Sequence, residues 1–148
     1  MAQGDIVWFD EATSIGDYFD GWAGTDDIKV AVLDNTTAPA AANTTPALGD
    51  YTEVGAAGTY TAGGTSLGTW ASVWSQTSGT GTMDSGTNPS WASDASNDTD
   101  AYWGLIYNDT QAGDPAICYV DLGGPIDMTA GTLSITWNAS GIATVTKS

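Results

Sequence analysis

The chain has no histidine and no arginine, one cysteine, and two lysines, Lys29 and Lys147. Each shortage closes off chemistry. Histidine is the usual general base near neutral pH, and arginine the usual clamp for phosphate or carboxylate. An enzyme lacking both must work with carboxylates, a lone thiol or a bound metal, so no catalytic residue is assigned and no enzymatic activity is expected. A single cysteine, Cys118, forms neither an intrachain disulfide nor a thiolate metal site. It sits inside an apolar run with no histidine to activate it, and reads as a small buried hydrophobe. Long apolar runs are missing as well. None approaches the ~20 residues of a membrane helix, and the N-terminus lacks the basic start and long apolar stretch of a signal peptide. The expectation is a protein made and folded in a cytoplasm.

What is present is acidic and aromatic. Eighteen Asp and Glu give a net charge of −16, which repels phosphate and argues against nucleic acid or an anionic membrane as partner. A basic partner surface stays open. With 148 residues, 41% of them hydrophobic, and seven Trp and six Tyr, the chain suffices for one domain with a proper core.

Residues 1–25 carry the one helical pattern. Ala12, Ile15, Phe19 and Trp22 fall on one helical face, Asp10 is placed to cap it, and the spacing predicts a short helix over residues 10 to 22. Ahead of it, Ile6, Val7, Trp8 and Phe9 form a four-residue apolar segment. They are candidates for contact with a neighbouring subunit, with burial in the chain's own core as the competing expectation. From residue 26 to 148 the pattern is that of strands. "IKVAVL" (28–33) alternates; "AYWGLIY" (101–107) and "AICYVDL" (116–122) are continuous apolar runs suited to strands covered on both faces. "TLSITW" (132–137) places Leu133, Ile135 and Trp137 inward, and "NASG" turns the chain into "IATVT". Gly63-Gly64 reads as the turn of a hairpin between "TYT" and "TSLGTWASVW", and residues 75–100 as loop with one short strand. The fold class expected is all-β, a β-sandwich or barrel-like domain with one short N-terminal helix.

Chemistry is sparse. Asp17 with Asp20, Asp26 with Asp27, and Asp94, Asn97, Asp98 and Asp100 are the acidic groupings a cation would need. Their spacing does not fit the helix-loop-helix calcium pattern, and in so acidic a chain such groupings arise by chance, so no metal and no cofactor is assigned. Paired carboxylates also serve glycoside hydrolysis, but nothing selects a pair. Tryptophan stacks on sugar rings. Trp70, Trp74, Trp103 and Trp137 lie in strand patterns and read as core, which leaves Trp91, in a Ser-rich stretch, as the candidate exposed aromatic, with Tyr102 next.

Five segments in order, "DDIKVAVLDN" (26–35), "GTYTAGGTSL" (58–67), "LIYNDT" (105–110), "YVDLGG" (119–124) and "GTLSITWNASGI" (131–142), resemble a family of small tailed-bacteriophage virion proteins. Residues 68–100 match that pattern poorly. Asn138 stands where the family has an Asp, and Ala116-Ile117-Cys118 where it has Leu-Ile-Gly. The resemblance implies a structural role: a capsid decoration (cement) protein on the outer surface of the virion. It would bind the assembled major capsid protein, join copies of itself as a trimer or other homo-oligomer, and stabilise the DNA-filled head. A tail, head-to-tail or fibre component is the alternative within the virion. A carbohydrate-binding receptor module is the alternative outside that class.

Overall fold

A computed structural model describes residues 1–13 and 18–146, and its regular structure is almost entirely antiparallel strands. The centre is a five-stranded sheet. Strand β1 (Ile6–Trp8) pairs with β8 (Ala116–Ile126), β8 with β7 (Ala101–Asn108), β7 with β2 (Asp27–Leu33), and β2 with β3 (Thr65–Thr69). The two apolar runs and "IKVAVL" thus lie side by side in the middle. There both faces are covered, and Val30, Val32, Leu105, Ile106, Ile117 and Cys118 are all fully buried. This is why β7 and β8 read as continuous apolar runs; β2, expected to alternate, is buried on both faces as well, with Ala31 and Leu33 fully buried.

Two smaller sheets complete the body. Strands β4 (Trp74–Thr77), β5 (Thr80–Met83) and β10 (Ala143–Thr146) form one, and β6 (Ser90–Trp91) with β9 (Leu133–Ser134) the other. Segment 133–142 covers one face of the large sheet. Gly104 in β7 marks the contact, because a Cβ there would press on Val120, Ile135 and Val30. On the other face Phe9 packs against Tyr119 and Tyr51, with ring centroids 5.2 and 6.4 Å apart.

Several sequence expectations need correction. Residues 10–13 and 18–21 run in turns rather than helix, and Ser14 to Asp17, including Ile15, lie outside the described residues. Gly21, at φ +83°, cannot continue a helix. The periodicity did mark burial: Ala12 is fully buried and Phe19 and Trp22 pack on the core. Among the described residues the α-helix is instead a single turn, α1 (Trp70–Val73), where a strand was expected.

The Gly63-Gly64 turn exists, closed by Gly64 N–H to the Thr61 carbonyl at 2.9 Å, but it does not close a hairpin. β3 pairs with β2, and the chain before the turn is held by side chains. The hairpin of this region is β4–β5, whose Ser78-Gly79 turn has positive φ at both residues, the geometry that twists with the strands. It lies in the stretch expected to be loop. Strand β9 is two residues long, yet Leu133, Ile135 and Trp137 are buried and Thr132, Ser134 and Thr136 exposed, as their alternation requires.

Candidate functional site

The apolar segment Ile6–Phe9 is not a free arm. Strand β1 lies at the edge of the five-stranded sheet in the register Ile6–Val120, Val7–Tyr119, Trp8–Cys118. Phe9 continues it, donating its N–H to the Ile117 carbonyl at 3.2 Å, and its ring is fully buried. Ile6, Val7 and Trp8 are half-buried. Since Phe9 bonds toward β8, alternation directs Val7 the same way and turns the N–H and C=O of Ile6 and Trp8 outward, off the sheet. Just before the strand, Asp5 stands opposite Asp121, joined by Asp121 N–H to the Asp5 carbonyl at 3.1 Å.

Beside this edge lies a cleft of about 610 Å³. Its walls are Gln3–Ile6, the end of β8 from Val120, and segment 133–142, with Ile6, Leu122, Ile135, Trp137 and Ile142 supplying apolar surface. At the other end of β1, Trp8 meets Trp74 at 6.0 Å and joins an aromatic cluster. Trp70 and Trp74 stack at 5.2 Å, four residues apart across α1, and Phe19 and Trp22 pack against Trp70. Gly81 lies directly beneath the Trp74 ring, where any side chain would collide. The two indoles face each other, so their mutual stacking occupies one face of each.

Trp91, expected to be exposed, is 5% exposed. Its ring packs on Tyr60 at 5.7 Å, and its backbone pairs with Leu133. The partner comes from a distant turn, which no local pattern shows. Tyr102 is half-buried.

The acidic groupings act as hydrogen-bond fixtures. Asn97 is buried. Its side-chain N–H2 donates to Thr59 Oγ1, Ala92 O and Met128 O at 3.0, 2.9 and 3.1 Å, and its Oδ1 accepts from Thr59 N–H at 2.7 Å. Asp98 accepts from Gly55 N–H at 3.0 Å. Asp26, 2% exposed, accepts from Asn108 Nδ2 at 3.0 Å and Gln111 Nε2 at 2.7 Å. These two bonds, Asn108 first, hold its carboxyl below the usual carboxylate range. Asp20 is exposed, and Asp17 lies outside the described residues. Among the described residues no group of three or more His, Cys, Asp or Glu is placed to hold a metal.

Glu53 accepts from Tyr60 Oη at 2.5 Å and Gly63 N–H at 2.7 Å, while Tyr60 Oη accepts from Val32 N–H at 3.1 Å. That arrangement continues β2 beyond the end of β3 and explains why "GTYTAGG" needs no ladder of its own. Burial raises the Tyr60 and Tyr107 hydroxyls, and pushes Tyr18 and Tyr51 up to about 12. Complete burial drives the Cys118 thiol upward too, which leaves no nucleophilic thiolate at neutral pH.

The open edge, its cleft and the aromatic cluster were not foreseen as a unit. The apolar run at 6–9 was the one signal pointing there. No family model, no curated protein and no solved structure matches the chain.

Proposed function

We propose that this chain is a structural subunit of a tailed-bacteriophage virion, a capsid decoration protein seated on the assembled major capsid lattice, where it stabilises the DNA-filled head. The observation that carries the reading is the open β1 edge flanked by a cleft lined by both apolar and polar residues, an assembly surface in a molecule whose described polar side chains largely serve its own fold. The five segments that carry the family likeness support it. They fall on β2, the turn into β3, the end of β7, the middle of β8, and the segment covering the sheet. They therefore describe one body, which we read as sandwich-like: a large sheet faced by segment 133–142 and the smaller sheets. On this reading the chain catalyses nothing, and works by shape and by joining itself and the major capsid protein.

Burial of Trp91 removes the observation that favoured a carbohydrate module. Quantitative mass spectrometry of purified, DNA-filled heads and of separated tails tests the proposal. A copy number matching the capsid lattice sites is the expected result. Absence from heads with a handful of copies on tails would replace decoration with the tail station.

A further inference from the structure

We propose that the β1 edge accepts an extended segment of a partner protein in which apolar and basic residues alternate. The inference deepens the assembly reading above and rests on it only in taking the partner to be a protein. An unpaired strand edge presents a row of N–H and C=O groups that an extended peptide can complete. In β1 those groups belong to Ile6 and Trp8, which the register turns away from β8.

The two faces of an added strand would meet different surroundings. Successive side chains of a strand point to opposite faces, so an incoming segment alternates between them. One face continues the row of Ile6 and Val120 and opens on the cleft of about 610 Å³, where Leu122, Ile135, Trp137 and Ile142 offer apolar contact. The other face continues the row of Val7 and Tyr119 and ends at the pair Asp5 and Asp121, which also border the cleft. The two residues stand opposite one another across an antiparallel pair, a placement where like charges are unfavourable. Asp5 is exposed and Asp121 half-buried. Their recorded bonds are to backbone amides, Ala2 N–H on Asp5 and Gly123 N–H on Asp121, both at 2.7 Å. Lys29, the one lysine among the described residues, is paired with Asp109 at 2.7 Å and lies in β2, two strands from β1's partner β8.

A lysine or arginine arriving on the added strand would relieve the repulsion, and apolar residues between would fill the cleft. A second copy of this chain suits the edge poorly. Its own edge reads Ile-Val-Trp with acidic residues on both sides, and it would set a charge of −16 against −16.

The test uses the full chain and synthetic hexapeptides: one alternating Lys and Val, one alternating Glu and Val, and one with three Lys followed by three Val. Binding is followed by titration, and the contact is mapped by amide exchange. The Lys–Val peptide should bind, slow exchange at Ile6 and Trp8, and weaken with added salt. The Glu–Val peptide should not bind, and the block peptide should bind about tenfold more weakly or worse. The double variant Asp5→Asn, Asp121→Asn should keep or raise the thermal midpoint while losing about tenfold in affinity for the Lys–Val peptide. Equal binding by the Glu–Val peptide, protection mapped away from β1, unchanged affinity in the double variant, or no binding up to about 1 mM would each overturn the inference. A chain that is found on heads but ignores the peptide loses this inference and keeps the virion reading; one that binds it but is absent from virions does the reverse.

Discussion

At one edge of the large sheet, β3 is shielded. The ladder with β2 breaks register between Ile28 and Lys29, and the Leu67 carbonyl is taken by the Ser85 hydroxyl at 2.6 Å. The strand then runs straight into α1. At the opposite edge, β1 has no bulge in its register, no proline and no lysine, and among the described residues no hydroxyl caps it; its short length and the flanking Asp5 and Asp10 are its protection. Proteins that must stay single blunt both edges, since an exposed edge invites another chain. On the proposed assembly reading, the two edges serve different ends: β3 is finished within the molecule, whereas β1 is the edge a partner would complete.

Breaking the shielded side should have the largest effect. Gly64, at φ +73°, immediately precedes β3, where a Cβ would overlap the Val30 carbonyl oxygen. Gly64→Ala should cost about 4 kcal/mol or more in urea unfolding, combining backbone strain with a backbone clash. On the β1 side, Phe9→Ala should cost about 3 kcal/mol, because the ring is fully buried between Tyr119 and Tyr51. Removing residues 1–9 should therefore destabilise the domain rather than simply free it from a partner; a truncated protein with unchanged unfolding would show that β1 is detachable. Ser85→Ala should cost about 1 kcal/mol by stripping the Leu67 carbonyl of its donor. It should also raise self-association in sedimentation by exposing a second edge.

The smallest effect is one of pH. Asp26 lies where β2 and β3 end, and its carbonyl accepts the Trp70 N–H at 2.7 Å. Its folded carboxyl lies below the ordinary value because Asn108 and then Gln111 donate to the charged form. The contribution is thus complete above about pH 4 and is lost as pH falls through the folded value. Asp26→Asn should flatten the acid limb of the stability profile, and an unchanged limb would count against this role.

The apolar runs that became β7 and β8 were legible because strands buried on both faces leave an unbroken signal; β2 was read as alternating, yet Ala31 and Leu33 are buried along with Val30 and Val32. The polar middle was not. In β4, Ser75, Gln76 and Thr77 are exposed, so no alternation announced the hairpin; Ser78-Gly79 between threonines was the available cue. Asn97 gave no cue at all, since its partners at residues 59, 92 and 128 meet only in the fold. Apolar spacing at 12, 19 and 22 marked burial correctly and misled on helix, because turns can bury the same side chains. Ile6–Phe9 was legible as apolar but not as an edge, because edge position depends on which strands β8 has already paired.

Amide hydrogen exchange at Ile6 and Trp8, compared between the free chain and the chain on purified virions, bears most directly on the claim that β1 is the assembly edge. Fast exchange in the free chain and strong slowing on the particle, with the amides of β3 unchanged, is the predicted result. Equal exchange at Ile6 and Trp8 in both states, with protection appearing at another surface, would contradict it.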